Sequence, residues 1–463
     1  MFDKQQTIDK AISFSGQGIH TGAKTTMTLK PSKENTGIQF LRVDLEGNHR
    51  IQADIENVFN TDRSTSLKSG IAEIHTVEHI LAAVAGNEID NLIIEVDNIE
   101  VPILDGSSKE FSEKIKMAGL RKQDSKRDYF EIKKEIKFSD KETGTEIIAK
   151  PSDSYSIDVS IDYNSKTLGN QHASLNYISD FNHEIASSRT FCFLHELEEL
   201  LKRKLVKGGD VNNAVIVVEK NISDDALLNL KKVFNKPDIQ VNKNGYLNNL
   251  KLRYKNEAAR HKLLDVVGDL SLLGKPIKGK IIAFKPGHKN NTKFVKYLKE
   301  IMKETKNKTE PYIDYKKKPL YDKEKIKTIL PHRDPFLFID EIREIGEDYI
   351  IGVKYVKSNE DYFRGHFPKE PVMPGVLQLE TMAQTGGVLI LNTVKDPENY
   401  LTFFMKIDNA KFKKKVIPGD TIVFRCSLIS PIRRGLCHMH GVGFVDGKIV
   451  VEADLLAQIA PKI

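Results

Sequence analysis

The chain has 463 residues, too long for one ordinary hydrophobic core, and its length predicts about three domains of roughly 150 residues each. Hydrophobic residues make up 40% and charged residues 29%, and the net charge is +7. The sequence has no stretch of about 18 apolar residues and no basic-then-apolar leader. We therefore expect a cytoplasmic protein without a membrane span. The three cysteines lack CxxC spacing, which excludes a cysteine-based metal site, and no nucleic-acid-binding motif accompanies the basic charge, so we expect no nucleic-acid partner.

The first 120 residues predict short strands, then a helix, a strand and a second helix. Lys24–Lys30 alternates apolar and polar residues, as a half-buried strand does. Thr76–Ala85 has the pattern of a helix with Thr76 as its N-cap residue. Asn91–Val96 is predicted as a strand and Lys109–Ala118 as a helix.

Residues 128–300 predict the same order of elements again, although sequence identity between the two halves is negligible. The predicted strands are Phe130–Phe138, Glu146–Ala149, Ser156–Tyr163 and Gly279–Phe284, and the predicted helices are Leu194–Arg203 and Asn256–Leu273. Residues 217–255 are polar and rich in lysine and asparagine, which indicates an insertion.

The character of the chain changes after residue 300. The segment 307–327 is rich in lysine and carries Pro311 and Pro319, which predicts an exposed linker that leads into a short helix. A long apolar helix is predicted over Gly375–Leu391. The strands predicted after it are Asp408–Phe412, Asp420–Ile429, Gly435–Phe444 and Lys448–Gln458. One long apolar helix with a meander of strands indicates a sheet wrapped around a buried helix.

A first set of reactive residues is divided between two predicted helices. His261 and Asp265 are four residues apart, so their side chains lie on one helix face about one turn apart. His79 is the candidate for a third ligand of a catalytic zinc site, and Glu78 beside it could take a proton from water. By itself this spacing is also common in surface or capping pairs. His75 competes with His79 because these two are four residues apart as well, but His75 would lie outside the predicted helix.

Several separated strings accompany these residues. They are Gly18-Ile-His-Thr-Gly22, Thr76-Val-Glu-His79, Leu104-Asp-Gly-Ser-Ser108, Ser188-Arg-Thr-Phe191, Gly208-Gly209, His261-Lys-Leu-Leu-Asp-Val-Val-Gly-Asp269 and Gly287-His288. With them, residues 5–302 resemble the zinc-dependent UDP-3-O-acyl-N-acetylglucosamine deacetylases of lipid A biosynthesis. The resemblance implies two αβ sandwich domains with the active site between them, and a UDP-sugar substrate.

The resemblance also implies roles for individual residues. The ligands of one zinc ion per chain would be His79, His261 and Asp265. Glu78 would be the general base, and His288 the general acid, kept protonated by Asp269. Lys262 and Thr190 would stabilise the oxyanion at the acetamide carbon. The residues implied to line the substrate groove are Phe191 and Gly209. An amide is a poor electrophile with a poor leaving group, so a polarising cation, a base and an acid are all needed.

A second set of reactive residues lies beyond the linker. His366 belongs to the tight segment Gly365–Pro368, and Glu380 follows on the helix that begins near Gly375. Free N–H groups and the positive dipole end of that helix would polarise a thioester carbonyl. A neutral histidine could then take a proton while a carboxylic acid donates one to a departing hydroxyl, which is a β-elimination without a metal. A histidine before Phe-Pro and a helical glutamate are also common as purely structural residues.

The strings around this second set carry a second resemblance. They are Leu330-Pro-His-Arg-Asp-Pro-Phe-Leu337, Gly365-His-Phe-Pro368, Pro374-Gly-Val-Leu-Gln-Leu-Glu-Thr-Met-Ala-Gln384, Lys411-Phe-Lys413 and Pro418-Gly-Asp420. Residues 322–461 resemble the (3R)-hydroxyacyl-acyl-carrier-protein dehydratases of fatty acid synthesis, which have the hotdog fold. The resemblance implies that His366 and Glu380 are the catalytic pair, completed across a dimer interface without a cofactor, and that the N–H of Gly375 contacts the thioester.

The two resemblances predict an α+β chain, a two-domain αβ sandwich deacetylase followed by a hotdog dehydratase. The predicted parts are subdomains 1–125 and 126–305, a linker 306–321 and a hotdog domain 322–463. They imply acyl carrier protein as a partner. They also imply a homo-oligomer built through the hotdog domain, in which chains form dimers and three dimers assemble into a trimer of dimers. The basic stretches 303–327 and 411–415 are either solvated surface or a docking site for an acidic partner.

Two other interpretations of the whole chain remain open. In one, only one half is catalytic, and the other serves as an oligomerisation or carrier-protein-binding module. In the other, the chain is a non-enzymatic binding protein for acyl carrier protein or a nucleotide sugar. Because both reactive sets are intact, the sequence favours a bifunctional hydrolase and lyase.

Overall fold

The computed structural model describes residues 3–47, 49–197, 213–219, 222, 224–234, 236–248 and 250–462. The chain divides into two compact units, Met1–Glu300 and Ile301–Ile463. Both units combine helices with β-sheets, as the predicted α+β class requires. None of the described helices is long and apolar enough to cross a membrane.

Strands are numbered β1 to β24 and helices α1 to α8 in chain order. The strands of the first unit are β1 (Lys4–Ile8), β2 (Ile12–Gln17), β3 (Lys24–Pro31), β4 (Ile38–Arg42), β5 (His49–Gln52), β6 (Val58–Asn60), β7 (Ser66–Ser69), β8 (Ala72–Ile74), β9 (Leu92–Val96), β10 (Leu120–Lys126), β11 (Phe130–Glu131), β12 (Ile136–Asp140), β13 (Thr145–Lys150), β14 (Tyr155–Ile161), β15 (Gln171–Leu175), β16 (Phe191–Phe193), β17 (Val215–Val217) and β18 (Ile277–Phe284). Its helices are α1 (Glu78–Gly86), α2 (Lys109–Ala118), α3 (Phe181–Glu184), α4 (Asp224–Val233), α5 (Glu257–Ser271) and α6 (His288–Asn307), the last of which ends in the second unit. The strands and helices of the second unit are α7 (Lys323–Ile329), β19 (Glu341–Ile345), β20 (Tyr349–Tyr355), α8 (Gly375–Leu391), β21 (Tyr400–Phe412), β22 (Thr421–Leu428), β23 (Leu436–Val445) and β24 (Lys448–Pro461).

The first unit repeats one topology, which confirms the predicted repeat of element order. Its two main sheets have the strand orders β2-β3-β9-β4-β5 and β12-β13-β18-β14-β15, with β11 added beside β18. In each sheet, the strand that comes last in the sequence lies in the centre. Strand β9 is antiparallel to β3 and parallel to β4, and β18 is antiparallel to β13 and parallel to β14. A helix precedes that central strand in each half, α1 before β9 and α5 before β18. Helices α1 and α5 are therefore equivalent elements of the two halves.

Helices α1 and α5 pack closely against each other in the middle of the first unit. Their buried faces are rich in alanine, valine and leucine, which provide a flat apolar contact. At Gly268 the two backbones nearly touch, because a Cβ atom there would lie 2.2 Å from the carbonyl oxygen of Glu78. Only glycine allows this approach, and it places the start of α1 beside the C-terminal turn of α5.

The prediction that Thr76 caps helix α1 is wrong. The N-cap residue is Val77, without a side-chain capping bond. Thr76 has a positive φ of 60° and donates its hydroxyl proton to the buried carboxylate of Glu100 at 2.9 Å. His75 nevertheless lies outside the helix, where its Nδ1 hydrogen-bonds the hydroxyl of Ser66.

The second unit is one six-stranded antiparallel sheet with the order β19-β20-β22-β23-β24-β21. Helix α8 packs against this sheet, and most of its side chains are buried. The core between them includes Met382, Leu389, Phe424 and Val451. This is the predicted helix wrapped by a sheet, and the predicted bounds of α8 are confirmed.

The segment predicted as an exposed linker is held against the sheet of the second unit. The side-chain oxygen of Asn307 accepts hydrogen bonds from Arg425 Nε at 3.2 Å and Ser427 Oγ at 3.3 Å. The carboxylate of Glu310 accepts from the backbone N–H of Gly447. Tyr312 is 92% exposed, as an exposed linker predicts, and these hydrogen bonds tie other residues of the segment to the sheet.

Two predictions fall partly outside the described residues. Residues 194–197 are helical, and the rest of the predicted helix Leu194–Arg203 lies outside them. Within the stretch 217–255, α4 and its surroundings contribute to a small apolar cluster that includes Leu230, Ile239 and Leu247.

Candidate active sites

The packing of α1 against α5 brings three potential metal ligands together. The ligand atoms of His79, His261 and Asp265 all lie within 4.8 Å of one another, and all three residues are buried. Asp265 Oδ1 is 3.4 Å from His261 Nε2 and 3.9 Å from His79 Nε2. The structure therefore brings His79 on α1 together with His261 and Asp265 on α5, which lie far along the chain, as the resemblance implies.

The hydrogen bonds of these residues leave the facing atoms available. His261 Nδ1 donates to the backbone carbonyl of Ser188 at 3.1 Å, so that its Nε2 carries the lone pair. Asp265 Oδ2 accepts from Lys262 Nζ at 2.9 Å, which leaves Oδ1 facing the two histidines. Among the residues that the structure describes, Asp265 Oδ1 and His79 Nδ1 are buried and have no hydrogen-bond partner.

The protonation states of the three residues suit a metal ion. Burial and the neighbouring His261 lower the pKa of His79 to about 3, and burial also lowers the pKa of His261. Burial opposes ionisation of Asp265, but His261 and Lys262 outweigh it and hold the pKa of this carboxyl well below its usual range. Two neutral imidazoles and one carboxylate, with their ligand atoms close together in a buried site, fit the donor set of a catalytic zinc site.

Glu78 and His288 lie beside these ligands. His288 Nε2 is 3.8 Å from Glu78 Oε1 and 3.8 Å from Asp265 Oδ2, while His288 Nδ1 is 2.9 Å from Asp269 Oδ2. Burial raises the pKa of Glu78 to about 7. Burial alone would lower the pKa of His288, but Asp269, Asp265 and Glu78 outweigh it and raise this pKa to about 9. A carboxyl poised near neutrality and a charged imidazole therefore face the same space.

A cavity of about 470 Å³ opens onto this group. The sequence-predicted residues that line it are Glu78, His79, Thr190, Phe191, His261, Lys262, Asp265 and His288. The ring of Phe191 packs edge-on against Tyr163 and Phe193, which forms an aromatic wall. Gly209, predicted for the substrate groove, lies outside the described residues.

Sequence reasoning missed two residues that surround Asp269. Thr65 Oγ1 donates to Asp269 Oδ1 at 2.6 Å, and Asn291 Nδ2 donates to Asp269 Oδ2 at 2.9 Å. It also missed His20 and Arg63, which line the cavity. His20 belongs to a quoted string, but no spacing pattern distinguishes Thr65 from any other threonine between two strands.

The second candidate site lies at the start of helix α8 in the second unit. Gly375 is the first residue of this helix, and the first N–H groups of a helix have no carbonyl partner within it. His366 Nδ1 donates to the backbone carbonyl of Val372 at 2.8 Å, so its Nε2 is left as the basic atom. Glu380 Oε1 accepts from Gln384 Nε2 at 2.9 Å and lies 3.4 Å from His332 Nε2.

Gln384 is held firmly, which also fixes Glu380. Its side-chain oxygen accepts from the backbone N–H groups of Phe338 and Ile339, and its nitrogen also donates to the carbonyl of Phe336. An apolar pocket lies beside Glu380 and His332. His366 is not among the residues that line this pocket.

Strand β21, at the edge of the sheet in the second unit, exposes large apolar side chains. The exposed fraction is 54% for Phe403, 55% for Met405 and 51% for Phe412. A long exposed apolar edge strand is a surface onto which a second chain can add.

Two family models match the chain. A model for UDP-3-O-acyl N-acetylglycosamine deacetylase, LpxC, matches residues 5–236 and 234–300. A model for the FabA-like domain matches residues 330–454. Their positions coincide with the two sets of reactive residues.

Several known proteins are similar to this chain. A bifunctional enzyme LpxC/FabZ of Porphyromonas gingivalis is 47% identical over 456 residues, which cover 98% of each chain. A bifunctional enzyme LpxC/FabZ of Chlorobaculum tepidum is 41% identical over 468 residues, which cover 100% of each chain. A UDP-3-O-acyl-N-acetylglucosamine deacetylase of Syntrophus aciditrophicus is 38% identical over 297 residues, or 64% of this chain and 86% of the relative.

These similarities support the interpretation that both halves of the chain are enzymes, rather than the one in which only one half is catalytic. The first part is a deacetylase of lipid A biosynthesis, a hydrolase, and the last part is a dehydratase of fatty acid biosynthesis, a lyase. Because single relatives carry both parts along nearly their whole length, this chain belongs to the LpxC/FabZ family of bifunctional enzymes.

Proposed function

We propose that His79, His261 and Asp265 hold one zinc ion, and that the residues around it remove the acetyl group of a UDP-3-O-(3-hydroxyacyl)-N-acetylglucosamine. The observation that carries this proposal is the buried cluster of three facing ligand atoms beside Glu78 and His288. A bound zinc supplies the positive charge that polarises the amide carbonyl and lowers the pKa of a water molecule.

Glu78 and His288 would divide the proton transfers between them. Glu78 Oε1 takes a proton from the attacking water, and His288 Nε2 gives a proton to the departing amine nitrogen. Asp269 holds the Nδ1 proton of His288, so that only Nε2 can act as the acid. Lys262 and Thr190 stabilise the oxyanion, and Phe191 lines the path of the substrate.

Glu78→Ala tests the proposed base. We expect the variant to keep its zinc, because Glu78 is not one of the ligands, and to lose about 100-fold or more in deacetylase kcat, the scale of a general base. Metal analysis and steady-state kinetics on the same preparation measure both quantities. Glu95→Ala, which removes a partly exposed carboxylate on β9, is the control and should be fully active. Full activity of Glu78→Ala would mean that another group takes the proton.

For the dehydratase we propose that His366 and Glu380 come from two different subunits and meet at one site. His366 Nε2 takes a proton from the carbon next to the thioester, and Glu380 protonates the 3-hydroxyl, which leaves as water. The N–H of Gly375 polarises the thioester carbonyl. The observation that supports a dimer is the exposed apolar edge strand β21, together with the absence of His366 from the pocket beside Glu380. The trimer of dimers remains a prediction from the family resemblance.

Acyl carrier protein, an acidic partner, would dock on the basic run at the end of β21. Lys411 and Lys413 are paired with Glu452, and Lys415 with Glu370. Among the described residues, Lys414 has no ion-pair partner, and it is exposed.

Reversing the charge of Lys414 tests this docking site. We expect Lys414→Glu to raise the KM for a carrier-bound substrate at low salt and much less at high salt, because exposed charges are screened beyond about 10 Å at 0.1 M salt. The kcat should be unchanged. Lys134→Glu makes the same change in net charge on the first unit and is the matched control. An equal KM for Lys414→Glu and the control at every salt concentration would leave the run as solvated surface.

We also propose how the chain is divided between the two activities. The deacetylase consists of subdomains 1–125 and 126–305, and the dehydratase is the hotdog domain 322–463. Residues 306–321 connect the two and are bound to the hotdog domain. Fragment 1–305 should be an active deacetylase, and fragment 306–463 an active, self-associating dehydratase. Fragment 320–463 lacks the contacts of Asn307 and Glu310, so we expect its Tm to be a few degrees lower. Circular dichroism melts and both activity assays make the comparison. An inactive 1–305 or 306–463 fragment would contradict this division.

A further inference from the structure

Thr65 touches both proton-transfer groups of the deacetylase site. It lies just before β7 and is fully buried. Its backbone N–H donates to Glu78 Oε2 at 3.0 Å, and its hydroxyl donates to Asp269 Oδ1 at 2.6 Å. Its carbonyl accepts the N–H of Val77, the N-cap residue of helix α1. All three polar groups of one residue are therefore used to connect α1 with α5.

These bonds decide which carboxylate oxygen faces the reaction. Since Glu78 Oε2 is taken by Thr65, the oxygen at 3.8 Å from His288 Nε2 is Oε1. Since Asp269 Oδ1 is taken by the Thr65 hydroxyl, Oδ2 is the oxygen that contacts His288 Nδ1 at 2.9 Å. The Thr65 hydroxyl is also 3.3 Å from His288 Nδ1, so it lies against the edge of the imidazole ring.

We propose that Thr65 is a positioning residue whose hydroxyl orients the Asp269–His288 pair relative to Glu78. This inference rests on the proposed roles of Glu78 and His288. Without the hydroxyl, a buried carboxylate oxygen would lack a donor, and the Asp269 carboxylate could rotate away from His288. The effect would fall on the chemical step, because Thr65 is not among the residues that line the substrate cavity.

Thr65→Val, which has the shape of threonine without the hydroxyl, is the direct test in the full-length enzyme. We expect deacetylase kcat to fall about 10- to 100-fold, the size of a lost hydrogen bond to a buried charge, with KM within about twofold of wild type. Zinc content and the dehydratase rate of the same preparation should be unchanged. Thr65→Ser keeps the hydroxyl and should restore kcat to within about threefold of wild type.

Two further measurements separate positioning from a general loss of stability. Thr7→Val removes another fully buried threonine hydroxyl, which accepts from Ser32 N–H at 3.1 Å, and should leave kcat unchanged. Because the hydroxyl acts through Asp269, Thr65→Val combined with Asp269→Asn should be no more than about threefold slower than Asp269→Asn alone. Thr65→Ala provides the same comparison if the valine variant does not fold.

Three results would overturn the inference. The first is a kcat near wild type for both Thr65→Val and Thr65→Ala while Asp269→Asn is slow. The second is a Thr65→Ser variant as slow as Thr65→Val. The third is a double variant, Thr65→Val with Asp269→Asn, whose loss in kcat is the product of the two single losses. Failure of the proposed function is a different result, since Glu78→Ala and Asp269→Asn would then both remain active.

Discussion

Asp265→Ala will abolish zinc binding and deacetylase activity while the dehydratase of the same chain continues to work. Asp265 Oδ1 faces both His79 and His261, and no other described carboxylate belongs to this ligand cluster. Two neutral imidazoles without the carboxylate leave an incomplete site for a catalytic zinc. We expect zinc to fall from about one ion per chain to a trace and the deacetylase rate to fall to background. Metal analysis of the purified protein and both activity assays measure the outcome.

The control for this variant is Asp158→Ala. Asp158 is paired with Lys280 at 2.7 Å on the sheet of the same half, so its removal also breaks an aspartate–lysine pair. It should keep full zinc and activity. If Asp265→Ala retained one zinc per chain, Asp265 would not be a ligand.

His366→Ala and Glu380→Gln will each abolish dehydration of 3-hydroxyacyl thioesters without changing zinc content or the deacetylase. The first variant removes the basic Nε2, and the second removes the acidic proton while keeping a side chain that Gln384 can still bind. His438→Ala is a suitable control. The buried neighbours of His438 on β23, Cys437 and Met439, line the pocket. Successive side chains of a strand point to opposite faces, so the half-buried His438 lies on the other face. Normal dehydration by His366→Ala would rule out the elimination as proposed.

Mixing the two inactive variants tests whether the pair is shared between subunits. In a dimer of one His366→Ala and one Glu380→Gln chain, one of the two sites keeps both groups intact. Random exchange of subunits should therefore restore about a quarter of the wild-type dehydratase rate. No recovery after complete exchange would place both groups of a site on the same chain.

Local patterns of the sequence predict much of the secondary structure. Helices Lys109–Ala118 and Gly375–Leu391 have the predicted bounds, because their apolar spacing and first residues are local signals. Strand β21 begins at Tyr400 rather than at Asp408, since an exposed edge strand has no alternation of buried and polar residues. The predicted strand Phe130–Phe138 is divided into two, and its parts pair with different strands, β18 and β13.

From the sequence alone, His261 and Asp265 could be placed on one face of a helix as candidate ligands, because a spacing of four puts two side chains on the same face whatever surrounds them. The strings of residues, through the family resemblance, added His79, Glu78 and His288. Only the tertiary structure showed Thr65 bonded to Asp269, 204 residues further along the chain. It also decided that Thr76 bonds Glu100 instead of capping α1, and that Asn307 is bound to the sheet. Backbone geometry repeats along a helix and can be predicted locally, whereas these contacts depend on how separate elements pack, which no local pattern encodes.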